Sequence, residues 1–366
     1  MNNEEPVSSP APYKPKFQGL KPLIFSLIPL LCLLLASEVI LRAFDFRYSD
    51  TPALMLSYPE RVSGGRFSHV LEENQISVFL KDKYQSWIPI PSFENKYGLE
   101  KPVGVTRIGT LGCSCTQGCS DTTLSYPTHM EEILNSEFPR SYQVLNAGVG
   151  SYSSFQGLQR LKYALLKYKP DIVTIYFGWN DHWVANLPDN QIRMKAAWEV
   201  GLINFLERFR TYQAYHLAIT RLKEKFKRAK KAGEPPTLRV SQEDYAKNLN
   251  AMIDLCQANG IRPVLMTAPY DPSQLAPSQI FPFPAETLIR THRDYNSIVR
   301  QVGAVRQVPV IDLEAVFTHL EQRRPLAYFS DGTHFTPVGC RLVAGLIVQR
   351  LQELGLVKSS PQHAAS

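Results

Sequence analysis

Val105-Thr106-Arg107-Ile108-Gly109-Thr110-Leu111-Gly112-Cys113-Ser114-Cys115-Thr116-Gln117-Gly118 is the stretch whose reading decides the fold. Its first seven residues lean apolar and β-branched and read as a strand. A proline-started helix follows, Tyr126-Pro127-Thr128-His129-Met130-Glu131-Glu132-Ile133-Leu134. Strand, turn and helix in that order put the Ser114 hydroxyl at the carboxyl edge of a sheet, where open α/β folds bind ligands. The G-x-S-x-G elbow of many hydrolases is absent, because Thr116 stands two places after Ser114. Alone, such a serine reads equally well as a helix cap. Its meaning depends on what else reaches the same edge.

Downstream, strands and helices alternate. Residues 142–147, 171–177, 262–267 and 308–312 read as further strands. Between them, Phe155, Leu158, Leu161, Leu165 and Tyr168 form a helical stripe that stops before Pro170. Ser241 opens a second helix with Asp244 at its third position, and Gly260 ends it. A last helix follows Pro337, with Val338, Leu342, Leu346 and Ile347 on its stripe. This alternation predicts an α/β fold, a parallel sheet of about five strands covered on both faces. Residues 182–240 interrupt it with amphipathic, then basic, helical sequence, an insert placed to act as a lid or a membrane-facing element.

Upstream, residues 1–20 are rich in Pro, Ser and Asn and read as a disordered tail. Residues 22–41 are apolar almost without break, and about 20 such residues suffice to cross a bilayer. No A-x-A-like cleavage site follows, so 21–43 reads as a retained transmembrane signal anchor. Lys14, Lys16 and Lys21 precede it against Arg42 and Arg47 after it, which favours the tail inside and the rest of the chain outside the cytoplasm, in the periplasm. Residues 44–104 read as an irregular lead-in with short strands, 105–358 as the main domain, and 359–366 as a disordered tail.

The chain has 366 residues, 44% of them hydrophobic, which is ample for a packed core and excludes a disordered protein. The net charge of +7 is concentrated in 221–231, where Arg221, Lys223, Lys225, Lys227, Arg228, Lys230 and Lys231 oppose Glu224 alone. Such a run is either a solvated helix face or a contact for anionic lipid. No nucleic-acid-binding motif accompanies it. Cys113, Cys115 and Cys119 cluster around Ser114 but lack a fourth ligand at the usual spacing, so no metal and no cofactor are expected.

Three other stretches end strands or precede helices and so converge on Ser114. They are Asn146-Ala147-Gly148-Val149-Gly150-Ser151-Tyr152, Gly178-Trp179-Asn180-Asp181 and Asp331-Gly332-Thr333-His334. Singly, each is explained by a turn or a cap. Together they supply an acyl-transfer site. Ser114 is the candidate nucleophile, His334 its base, and Asp331 the carboxylate that fixes the imidazole tautomer. The backbone N–H groups of Ser114, Gly150 and Ser151 and the Asn180 amide are candidate oxyanion donors.

These four blocks resemble the SGNH hydrolases, also called GDSL esterases, over roughly residues 105–355, and the chain looks most similar to their membrane-anchored bacterial branch. The resemblance implies a three-layer, flavodoxin-like fold and metal-free hydrolysis or transfer of acyl groups. Two departures stand out. Cys113 replaces the aspartate of Gly-Asp-Ser, a position outside the triad. Ser151 falls where the family has its oxyanion glycine, although a non-glycine residue resists positive φ. The resemblance, with the expected envelope placement, implies an esterase acting on an acylated polysaccharide or lipid, possible O-acetyl esters included. A membrane-bound O-acyltransferase with the same residues and a ligand-binding pseudoenzyme are the alternatives.

Overall fold

The computed structural model describes residues 21–48, 78–82, 86–90, 93–118, 124–185, 187–191, 197–230, 237–278, 282–321 and 328–359. The tail expected at 1–20 and, from residue 360 onward, the tail expected at 359–366 lie outside them, as does Cys119.

The five expected strands form one parallel sheet: β1 (Thr106–Gly112), β2 (Tyr142–Asn146), β3 (Ile172–Tyr176), β4 (Arg262–Met266) and β5 (Val310–Ile311). Their spatial order is β2-β1-β3-β4-β5. The order reverses between β1 and β3, and that switch point opens a crevice beyond their carboxyl ends. Ser114 follows β1, and Gly178-Trp179-Asn180-Asp181 follows β3, so topology alone brings these two turns side by side.

Alternation along the strands divides the core in two, because successive side chains leave opposite faces. Ile108, Ile172, Val264 and Met266 face one layer, made with α2 (Tyr126–Glu137), α8 (Leu313–Glu321) and α9 (Pro337–Glu353). Leu111, Leu145, Val173, Ile175 and Leu265 face the other, made with α3 (Ser154–Tyr163), α6 (Gln242–Ala258) and α7 (Ala285–Arg306). This is the expected doubly wound sandwich. The Ser241 hydroxyl accepts from Asp244 N–H and caps α6, as its sequence predicts. Burying the side chain of one such core Leu or Ile stabilises the fold by about 1.5–3 kcal/mol.

Arg107 fastens the lead-in to this core. It is fully buried, and its guanidinium donates to the carbonyls of Gly98, Leu99, Glu100 and Tyr168 at 2.7–3.0 Å. Further upstream the lead-in forms an antiparallel hairpin, Val78–Asp82 with Ser86–Ile90.

The expected anchor falls on α1 (Lys21–Ala43). Among the described residues, however, no helix is long and apolar enough to cross a membrane. Polar residues return at Ser37 and Glu38, before the end of the helix. Glu38 is bonded to protein: it accepts from Thr211 N–H at 2.9 Å at the start of α5 (Arg210–Lys230). The insert also holds α4 (Ala197–Leu206), and Val184–Ala185 pairs with Thr237–Leu238 to close its neck. Arg221, Lys223 and Lys225 are exposed on α5.

Candidate active site

Ser114 opens a single helical turn, Ser114–Gln117, immediately after β1. Two glycines allow this turn to sit so close to its neighbours. A Cβ on Gly112 would lie 2.0 Å from Thr116 Oγ1, and one on Gly148 would lie 2.4 Å from the Gln117 backbone nitrogen. The turn is thereby pressed between its own strand and the 146–152 segment.

The Ser114 Oγ is 2.8 Å from His334 Nε2. The other ring nitrogen, Nδ1, is 2.6 Å from Asp331 Oδ2. With Asp331 ionised, Nδ1 carries the proton and Nε2 is left to accept from the serine hydroxyl. Asp331 is fixed by its own loop, since Oδ1 accepts from the N–H groups of Thr333 at 3.0 Å and His334 at 2.8 Å. Partial desolvation of this half-exposed carboxyl raises its pKa, but the hydrogen bond and charge of His334 and these two N–H groups outweigh it and hold the carboxyl well below its ordinary range.

The cysteines flanking Ser114 do different work. The Cys115 thiol donates to the Thr333 carbonyl at 3.4 Å and so ties the Ser114 turn to the His334 loop. Cys113 is buried, and a hydrogen bond from Cys115, opposed by burial, draws its pKa down.

The opposite wall is built from 150–152 and 178–181. Ser151 is buried and has φ 63°, the left-handed region that a glycine would enter freely. Its N–H takes no acceptor among the described residues, and its Oγ is likewise unbonded there. Gly150 differs: its N–H donates to Gln117 Oε1 at 2.5 Å. Of the two neighbouring amides expected as donors, Gly150 is therefore committed elsewhere. Asn180 is buried, and one N–H of its carboxamide donates to the Tyr152 carbonyl at 2.8 Å. Asp181 braces this wall by accepting from Ser154 N–H at 2.8 Å and Gly178 N–H at 3.0 Å. Burial pushes its pKa up to about 6, although the Ser154 bonds oppose the shift. Behind Asn180, Trp179 stacks on His292 with ring centroids 3.7 Å apart.

The structure thus brings Ser114, His334 and Asp331 into one hydrogen-bonded row, with Ser151 and Asn180 on turns of the same edge. Sequence reasoning missed Gln117, Asp189 and Arg239, which support that edge. Gln117 lay inside the quoted stretch, three residues from Ser114; Asp189 and Arg239 carry no local signal.

An α/β sheet with a serine–imidazole–carboxylate row at its carboxyl edge is the arrangement of an acyl-transfer site. The chain belongs to the GDSL-like lipase/acylhydrolase family, whose model matches residues 110–342, and it is accordingly a hydrolase of ester bonds. Among curated proteins nothing matches. Solved structures similar to it include a lipase/acylhydrolase from Enterococcus faecalis, 20% identical, covering 70% of this chain and 99% of that one with a TM-score of 0.47. A GDSL-like lipase from Bacteroides thetaiotaomicron is 14% identical, covering 71% of this chain and 94% of that one with a TM-score of 0.44. A catalytic mutant of an acetylxylan esterase from Geobacillus stearothermophilus is 18% identical, covering 71% of this chain and 100% of that one with a TM-score of 0.44.

Proposed function

We propose that the chain is a serine esterase that removes an acyl group, O-acetyl among them, from an envelope polysaccharide or lipid. The observation that carries the mechanism is the 2.8 Å contact between Ser114 Oγ and His334 Nε2, with Asp331 behind the ring. Ser114 Oγ attacks the ester carbonyl carbon while its proton passes to His334 Nε2. The carbonyl oxygen becomes an oxyanion, held by the N–H groups of Ser114 and Ser151 and the second N–H of the Asn180 carboxamide. His334 returns the proton to the departing alkoxide, which leaves as an alcohol. Water then attacks the acyl-serine, giving its proton to His334, and the acid is released as Ser114 recovers that proton.

The substrate class rests on placement. The apolar residues 22–41 of the sequence are proposed to hold the chain in a membrane with the catalytic domain in the periplasm, and the basic run 221–231 to contact anionic lipid. The test is full-length protein assayed on a short-chain p-nitrophenyl ester and on O-acetylated glycan, with labelling by a fluorophosphonate. Turnover and labelling that both vanish in Ser114→Ala support the reading; labelling that persists sinks it. Acyl groups delivered to an added sugar hydroxyl instead of water would make the enzyme a transferase.

A further inference from the structure

We infer that Arg239 is a positioning residue for the oxyanion turn, and that the neck of the 182–240 insert is what holds Ser151 in place. The inference rests on the reading of Ser151 as an oxyanion donor. A non-glycine residue stays at left-handed φ only where its surroundings over-determine it. At Ser151 those surroundings are supplied from far along the chain. One Arg239 N–H (Nη1) donates to the Ser151 carbonyl at 2.7 Å. The other terminal nitrogen, Nη2, donates to Gln156 Oε1 at 2.7 Å and Asp189 Oδ2 at 2.8 Å, and Nε donates to Asp189 Oδ1 at 3.1 Å. Asp189 Oδ2 also accepts from the Ser153 hydroxyl at 2.6 Å.

These bonds form a closed frame around the turn. Ser151 and Ser153 lead into α3 and Gln156 lies in its first turn, whereas Asp189 and Arg239 lie in the neck of the insert. The Arg239–Asp189 pair is nearly buried, with side-chain exposures of 11% and 5%. The neck itself is stitched by the backbone. Asp189 N–H donates to the Arg239 carbonyl at 2.7 Å, Arg239 N–H to the Trp183 carbonyl at 2.9 Å, and Val240 N–H to the Asp181 carbonyl at 2.9 Å. The last bond joins the neck to the Asn180-Asp181 turn, so both walls of the proposed oxyanion site share one support. A planar guanidinium can hold these four acceptor atoms, on three residues, at fixed angles, which an ammonium with three rotatable donors cannot.

Losing Arg239 leaves chemistry and substrate contacts intact but frees the Ser151 carbonyl, letting its amide drift. A donor that acts on the transition state costs kcat, not KM, when it is misplaced, and an error of about 1 Å can cost about 10²-fold. The test uses the full-length enzyme and a short-chain ester. Arg239→Met should lower kcat by about 10–10²-fold with KM unchanged, Arg239→Lys should recover part of that loss, and methylguanidinium should partly rescue a cavity variant, Arg239→Ala. Because Arg239→Met strands the Asp189 charge, the double variant Arg239→Met with Asp189→Asn serves if the single one does not fold. A folded variant of either kind with wild-type kcat, or with a loss confined to KM, overturns the inference. If Ser114→Ala and Asn180→Ala are themselves fully active, the acyl-transfer reading has failed; if they are impaired and the Arg239 variants are not, only this inference has.

Discussion

The two halves of the proposed site, acid–base and oxyanion, are built in opposite ways. The acid–base half is local and open. Asp331, Thr333 and His334 fold one loop around a single exposed carboxylate, and Asp331 is fixed by N–H groups two and three residues away. The oxyanion half is buried and assembled from distant pieces: Gln117, Ser151, Asn180, Asp189 and Arg239 come from five separate segments. The difference follows from the work each half does. The imidazole passes protons between Ser114, the leaving group and the incoming water, so its carboxylate partner can lie at the mouth of the site. Oxyanion donors gain strength from exclusion of water and from needing no reorganisation, so they sit in a rigid, dry wall.

The comparison breaks most sharply at the nucleophile. Ser114→Ala should reduce turnover to background, and His334→Ala nearly as far, because the relay acts as a unit. Asp331→Asn keeps the shape of the loop but not the tautomer, and should lower kcat by about 10³–10⁴-fold. Stopped-flow or steady-state assays of the three variants order them; an Asp331→Asn enzyme at wild-type rate would remove the carboxylate from the relay.

The oxyanion half should respond less. Asn180→Ala removes one donor and should cost about 10²–10³ in kcat. Since Asn180 also bonds the Tyr152 carbonyl, the melting temperature must be measured alongside; an unaltered kcat in a folded variant would take Asn180 out of the site. Smaller again is the cysteine at the family's aspartate position. Cys113→Ala should keep a measurable fraction of activity, because the hydroxyl, not the thiol, faces His334. A folded but inactive Cys113→Ala would point to thiol chemistry instead.

The smallest effect is on stability, and pH separates the halves by sign. Asp331 has a depressed folded pKa, so its contribution is present above the unfolded value of about 4 and lost as pH falls below it. Asp181 has its folded pKa raised to about 6. Its proton is held more tightly in the folded state, so its contribution is fully present below about pH 4 and is lost as pH rises to about 6. Denaturation midpoints of Asp181→Asn should therefore lack a decline between those values that the parent shows. An identical decline in both would assign it to other groups.

Much of this protein was written locally. The strands at 105–111, 142–147, 171–177, 262–267 and 308–312 were legible because parallel strands buried on both faces carry apolar runs, and the structure keeps all five with ends moved by a residue or two. Ser114, Asn180, Asp331 and His334 were legible because each ends a strand or begins a helix within a short block. The structure adds that Gly150 spends its N–H on Gln117. That could not be read from a glycine, which has no side chain to reveal its partner. The helix α7 went unread for another reason: its buried stripe of Leu288, Tyr295, Val299 and Val302 is interrupted by the polar His292 and Asn296. The sequence by itself determined which strands form and which short blocks carry the candidate site residues, because both depend on neighbours a few residues apart. Only the tertiary structure decided that Ser151 is left-handed and that Arg239 and Asp189, 50 residues apart, close on it. Those contacts depend on where the insert's neck returns to the sheet, and no local propensity encodes a distance through space.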